Sequence, residues 1–307
     1  MVTHTPVLPA EVASALSART GEVVLDCTAG SGGHAAGLAR AIGPSGTLVL
    51  NDSDDGSLVR SEARVREACG SETPRVVVWR GNFAEAPARM EAAGLRADAV
   101  LADLGFSSDQ MEDAARGLSF MRDGPLDMRL DRRVGVTAAD LVASLPEAEL
   151  ARIIREYGEE PAAGRIARKL VAARSAEPIS TTGRLAELVR SAIGKEPRTI
   201  HPATRTFQAL RIAVNDELGS LDALLAAVGR GATGRDGWLS PGARVAVISF
   251  HSLEDRAVKR AFGALERAGM GEAMGPIVPT EEEVSANPRS RSAKLRVLRL
   301  RGGRGAD

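Results

Sequence analysis

The chain has 307 residues, 44% hydrophobic and 26% charged, with 40 basic and 40 acidic side chains and a formal net charge of zero. That length predicts one large domain with an insertion, or two domains, and the neutral balance argues against a general nucleic-acid coat protein. Cys27 and Cys69 form no disulfide pattern, four scattered histidines lack ligand spacing so that no metal is expected, and no window nears the ~18 apolar residues that span a bilayer. Residues 1–12 have neither a basic opening nor an apolar run, so no signal peptide and a cytoplasmic location are expected.

The first third alternates strand and helix. A helix near 9–17 precedes strands at 22–26, 46–51, 75–80 and 98–103, with helices near 33–42, 55–69 and 84–93 between them. Such alternation predicts a parallel sheet with helices on both faces. Residues 109–135 are loop-rich, with Gly117, Gly124, Pro125 and a dense mix of Arg and Asp. From 137 to 225 the apolar spacing is helical, in segments 137–142, 146–158, 160–175, 181–194 and 204–225. Thr181 or Thr182 is expected to cap its helix, and Gly158 and Gly194 to stop theirs. Strand signals return at 243–249 and 295–300, separated by a helix at 253–268 and a Pro/Gly/Glu-rich loop at 269–288. The end carries Arg289, Arg291, Lys294, Arg296, Arg299, Arg301 and Arg304 with no acid among them. A solvated tail is the plainer reading. Residues 294–300 nevertheless alternate basic and apolar, which predicts a strand with one buried face and its charges together on the other, able to meet phosphates.

The chemistry starts at Val23-Val24-Leu25-Asp26-Cys27-Thr28-Ala29-Gly30-Ser31-Gly32-Gly33-His34, a strand that ends in an acid and opens into a glycine-rich turn before a helix. Such a helix start offers unpaired N–H groups and a partial positive charge. Gly30-x-Gly32-x-x-Ala35 fits a relaxed dinucleotide fingerprint, and Asp52 lies where an acid grips a ribose. The same unit serves S-adenosylmethionine (SAM), and the loop alone leaves NAD and SAM level. A ligand-free turn would not need three glycines among residues 30–33. The later organisation separates the two. A helical block interrupts the sheet, which is completed by one more strand–helix unit and a late strand, where a dehydrogenase would show a second βαβαβ half. A SAM-dependent methyltransferase inserts such a last strand antiparallel.

Asp103 ends the fourth strand, where ligands of open α/β sheets sit, and Gly105 and two serines follow it. A turn cap is its plainer role. From here the likeness is specific. Asp103-Leu-Gly-Phe-Ser-Ser-Asp-Gln110, Arg116-Gly-Leu-Ser-Phe120, Pro125-Leu-Asp-Met-Arg-Leu-Asp131, the block from His201 to Leu218, Ser249-Phe-His-Ser-Leu-Glu-Asp255 and Asn287-Pro-Arg-Ser-Arg-Ser-Ala-Lys-Leu-Arg296 resemble the bacterial ribosomal RNA small-subunit methyltransferase H, or MraW, family. His4-Thr-Pro-Val-Leu8 matches as well.

The resemblance implies a Rossmann-like class I SAM-dependent methyltransferase sheet at 1–110 and 216–307, with an inserted all-helical, RNA-facing domain at 111–215. It implies methylation of N4 of a cytidine in the decoding region of 16S rRNA, with the 30S small subunit as partner and SAM as cofactor. Gly32, Gly33 and His34 would contact SAM, Asp52 would hold the ribose hydroxyls, and Phe83 would flank the adenine. Asp103 and Gln110 would complete the cofactor site. Asp103 is also the candidate catalytic acceptor for the cytosine amine, and Phe106 could stack on the displaced base. Where the family has four glycines before the histidine, this chain has Ser31 among them, and Asn51 stands where Ile precedes the ribose acid.

Other candidates have bland readings beside them. His201 and His251 read as structural hydrogen-bonders. Ser249, His251 and Asp255 lie too close in sequence for a hydrolytic triad, and no nucleophile elbow is present. Arg205 and Arg211 are phosphate-contact candidates, with helix-surface ion pairing as the alternative. An NAD(P) oxidoreductase and a non-catalytic RNA-binding assembly factor are the rival functions. Monomer and homodimer are both compatible with the sequence.

Overall fold

The computed structural model describes residues 6–133, 135–194 and 200–302. His4, Thr5 and Arg304 of the motifs above lie outside them. The chain divides into two compact units, one from residues up to Gly105 and from Gly219 onward, the other Phe106–Leu218.

The first unit runs α1 (Pro9–Leu16), β1 (Val23–Asp26), α2 (Gly33–Ile42), β2 (Thr47–Asp52), α3 (Asp55–Cys69), β3 (Arg75–Arg80), α4 (Ala86–Ala92) and β4 (Ala97–Asp103). The second holds α5 (Ser108–Glu112), α6 (Ala138–Ser144), α7 (Glu147–Gly158), α8 (Ala163–Arg174), α9 (Thr182–Ile193), α10 (Thr204–Asn215) and the start of α11 (Glu217–Ala232). The first unit then resumes with β5 (Leu239–Ser249), α12 (Ser252–Arg267), β6 (Gly271–Ile277), α13 (Glu281–Ala286) and β7 (Lys294–Leu300).

The seven strands make one sheet in the order β3-β2-β1-β4-β5-β7-β6. The first five are parallel, in register Val23↔Thr47, Leu25↔Val100 and Val100↔Val245, and β7 is antiparallel to both its neighbours. Runs such as Val24-Leu25 and Leu48-Val49-Leu50 are apolar throughout because helices cover both faces. Leu25, Val49 and Val100 pack with α4, α11 and α12 through Met90, Leu224 and Phe262. Val24, Leu48 and Leu101 pack on the other face with α1, α2 and α3 through Leu16, Leu38 and Leu58.

Three local expectations need correction. The loop at 269–288 contains β6 and α13. Gly271, Gly275 and Pro276 give β6 no strand propensity, and its pairing along β7 holds it. The basic residues of β7 do not share one exposed face, because β7 is inserted between β5 and β6 and both its faces are covered. Arg296, 9% exposed, and Lys294 pair with Asp255 of α12, while Arg299 is exposed. The third concerns 204–225, which is not one helix. Asp216 adopts a left-handed conformation (φ 46°) that short polar residues tolerate, and it separates α10 from α11. The adjacent Asn215 ties the break down, accepting from the Leu130 N–H and donating to the Met128 carbonyl.

In the second unit, Leu126, Ile154, Ile166, Leu170, Leu185, Val189, Phe207 and Leu210 form the core. Thr181 caps α9 and Gly194 ends it. Gly158 does not end α7 as a left-handed stop. Glu159 takes that conformation, and Gly158 is the last helical residue, where a Cβ would lie 2.5 Å from the Arg205 carbonyl oxygen of α10. The glycine lets α7 and α10 touch backbone to backbone. Gly158→Ala should therefore destabilise the protein by about 1–3 kcal/mol in urea unfolding, an overpacking cost at a site where backbone cannot yield.

Candidate active site

The candidate site lies at the carboxyl ends of the parallel strands. The chain leaves β1 toward β2 on one side and is flanked by β4 on the other, which is the switch point where open α/β sheets bind ligands. Three acids end the strands there, Asp26 on β1, Asp52 on β2 and Asp103 on β4.

The glycine loop is bonded to those acids. Thr28 N–H donates to Asp26 Oδ1 at 3.1 Å, and Gly30 N–H donates to Asp52 Oδ2 at 2.9 Å. Asp54 N–H holds the other Asp52 oxygen at 2.9 Å, and the Asp103 N–H donates to Thr28 Oγ1 at 2.7 Å. Gly32 has φ 80°, and a Cβ on it would stand 2.7 Å from Ser61 Cα. This glycine is required by its left-handed turn and by the packing of α2 on α3. Gly33 opens α2 beside Pro6. His34 follows, nearly buried, with Nε2 3.7 Å from Asp103 Oδ2.

The structure thus brings Gly32, Gly33, His34, Asp52 and Asp103 to one end of the sheet. Phe83, half-buried, begins a turn just after β3, and Asn82 before it bonds Ser220 through its side chain. Gln110 belongs to the second unit. It is buried in α5, and its Oε1 accepts from Ser107 N–H in a capping box. Phe106, in the same unit, has the Arg211 guanidinium over its ring at 4.8 Å.

Sequence reasoning gave no role to Asn51 or Thr28. Asn51 is fully buried and donates to the carbonyls of Cys27 and Gly81, tying together the loops after β1 and β3. The signal was present, a lone amide inside an apolar strand where the family carries Ile.

Charge is concentrated here. Burial pushes the Asp103 carboxyl up to about 8, and the like charges of Asp26 and Glu254 add to the effect. Burial likewise raises Asp26 to about 7, against the Thr28 N–H that favours its charged form, and raises Asp52. Asp103 Oδ1 is buried and has no hydrogen-bond partner among the described residues. A crevice of crowded carboxyls with an orphaned oxygen fits a cationic ligand. Burial also raises the Cys27 thiol, which removes it as a nucleophile.

The remaining candidates resolve as structural. Ser249 donates to the Lys294 carbonyl, His251 caps α12 with Glu254, and Asp255 holds Arg296, so no triad forms. Arg211 makes a bidentate pair with Glu217, and Arg205 donates to the Glu159 carbonyl.

A seven-stranded sheet with an inserted antiparallel last strand, and an acid-ended crevice over β1, β2 and β4, define a class I SAM-dependent methyltransferase. The MraW methylase family model matches residues 1–301, and the chain belongs to that family. It is 45% identical to the ribosomal RNA small subunit methyltransferase H of Acidobacterium capsulatum over 95% of this chain and 97% of that one. Identity to the protein of the same name from Symbiobacterium thermophilum is 44%, over 98% of each chain. Among solved structures, the O-methyltransferase TomG of Streptomyces achromogenes, determined with SAM, aligns over 96% of this chain and 78% of its own at 13% identity and TM-score 0.40. The NAD(P) alternative falls with family membership, and β5 is the only parallel strand after β4 among the described residues. SAM is the cofactor, and its sulfonium and ammonium charges suit the crowded carboxyls. No helix among the described residues is long and apolar enough to cross a membrane.

The acids leave a stability signature. A folded carboxyl near 7 keeps its proton where the unfolded one, near 3.8, has lost it. Stability therefore falls as pH rises between those values and stays low above them. Asp26→Asn keeps the acceptor for Thr28 and removes that penalty. Its melting temperature should exceed wild type by several degrees near pH 8 and match it near pH 4, read by calorimetry of the ligand-free protein.

Proposed function

We propose that the protein methylates the N4 amine of a cytidine in the decoding region of 16S rRNA, acting in the cytoplasm on the small ribosomal subunit. The name shared by its curated relatives supports the RNA substrate. The observation that carries the chemistry is Asp103, a carboxylate at the switch point with one buried oxygen bonded to nothing in the described protein. The helical unit, expected at 111–215 and compact over Phe106–Leu218, is the RNA-facing part, with Arg165, Arg168 and Lys169 exposed along α8.

When bound, SAM supplies an electrophilic methyl carbon on a sulfonium sulfur. Asp52, its carboxylate already aligned by two backbone N–H groups, would hold the ribose hydroxyls, and Phe83 would flank the adenine. The helix start at Gly32, Gly33 and His34 would cover the methionine end. The N4 lone pair of cytosine is delocalised into the ring and is a weak nucleophile. Asp103 accepts a hydrogen bond from the amino group, which favours a tetrahedral nitrogen, and it takes the proton released on transfer. His34 lies beside Asp103, with its Nε2 3.7 Å from Oδ2.

Tritium from SAM should appear in 30S particles, in N4-methylcytidine after nuclease digestion. No incorporation at any assembly stage would favour the non-catalytic factor. Asp103→Asn should lose about a hundredfold or more in turnover and far less in SAM affinity, and equal losses would remove the acceptor role. An acceptor must be deprotonated, so the transfer rate should rise with pH. The midpoint should lie at or below about 8, because cationic SAM favours the charged carboxylate.

A further inference from the structure

Phe120 and His201 are stacked in the second unit, with ring centroids 4.4 Å apart and planes at 25°. Phe120 in turn meets Phe207 edge-on at 4.9 Å, and Phe207 is buried in the helical core. The stack therefore climbs from the core to the surface. It ends on an imidazole that is exposed, although the chain has only six Phe, two Trp and one Tyr. The imidazole is held in orientation. Its Nδ1 accepts the Ala203 N–H at 3.2 Å, which leaves Nε2 to carry the proton in the neutral ring.

The residues beside the stack are apolar and outward. Met121, next to Phe120, is 82% exposed, and Ile200, next to His201, is 46% exposed. Arg122 is exposed two residues from Phe120. Helix capping accounts for the position of Nδ1. It does not account for a pre-stacked aromatic ring presented to solvent with exposed apolar residues next to it in the chain.

We propose that the outer face of His201 is a stacking platform for one unpaired nucleobase of the RNA substrate. Proteins hold single-stranded RNA by stacking bases on aromatic rings, and a ring fixed beforehand loses little entropy in doing so. Met121 and Ile200, exposed next to Phe120 and His201, add apolar contact at the edges of the base. This inference rests on the RNA substrate proposed above and adds a binding subsite outside the SAM crevice.

The test uses the full-length protein with bound SAM and a short fluorescent single-stranded oligoribonucleotide, read by anisotropy across a salt series. His201→Gln keeps polarity and removes stacking, and His201→Phe keeps stacking. His201→Gln should bind about tenfold more weakly at every salt concentration, with the slope of log affinity against log salt unchanged, and His201→Phe should bind as wild type. All three should bind SAM equally, which shows that folding is intact. Wild-type affinity in His201→Gln, an equal loss in both variants, or a salt slope reduced by about one phosphate contact overturns the platform. Wild-type protein that binds this RNA but transfers no methyl to 30S particles overturns the proposed reaction alone. Wild-type protein that binds no RNA overturns the platform, and tritium transfer to 30S particles decides the reaction separately.

Discussion

Carboxylates of neighbouring strands converge at the end of a sheet buried on both faces, and their mutual repulsion must be contained before anything binds. Containment comes from the backbone. Gly30 and Asp54 N–H groups occupy both oxygens of Asp52, Thr28 N–H bonds Asp26, and the Thr28 hydroxyl accepts from the Asp103 N–H. The glycine turn is shaped by these bonds and by the packing of α2 on α3 as much as by the ligand that it meets. Asn51 adds the outer tie between the loops after β1 and β3. Each contact leaves the carboxyls in place while leaving Asp103 Oδ1 without a partner in the described protein.

That arrangement is costly in the empty protein and favourable in the loaded one. Burial and like charge hold the Asp26 and Asp103 protons near neutrality. A cationic ligand reverses the preference, because an opposite charge in a poorly solvated site stabilises the carboxylate far more than water-screened charge does. A cation bound there would draw the Asp103 carboxyl toward its charged form.

The sheet was largely legible in the sequence because its strands are short apolar runs broken by Gly and polar residues. The stretches 75–80, 33–42 and 55–69 coincide with β3, α2 and α3. What escaped had physical reasons. β6 has glycines and a proline where a strand pattern would need side chains, and only its partner β7 defines it. The break at Asp216 hides inside continuous helical spacing, because a left-handed Asp leaves no compositional mark. The face of β7 was misjudged because an alternating charge pattern says nothing of an acid, Asp255, waiting on a helix. In the crevice, acids at strand ends were readable from order alone. Their protonation and the Asn51 bridge needed three dimensions.

The pairing of β4 with β5 has a consequence for how the molecule is made. Asp103 ends β4, Leu239 begins β5, and the whole helical unit lies between them in the chain. At ordinary synthesis rates those intervening residues take roughly 10–30 s to emerge. For that time β4, an apolar strand, has an open edge of unpaired N–H and C=O groups, the kind of edge that recruits foreign strands. The helical insertion is local in its contacts and can fold during the wait. The sheet that carries the three acids is complete only when β5 and then β7 are delivered, so the nascent chain has its helical unit before it has a finished sheet.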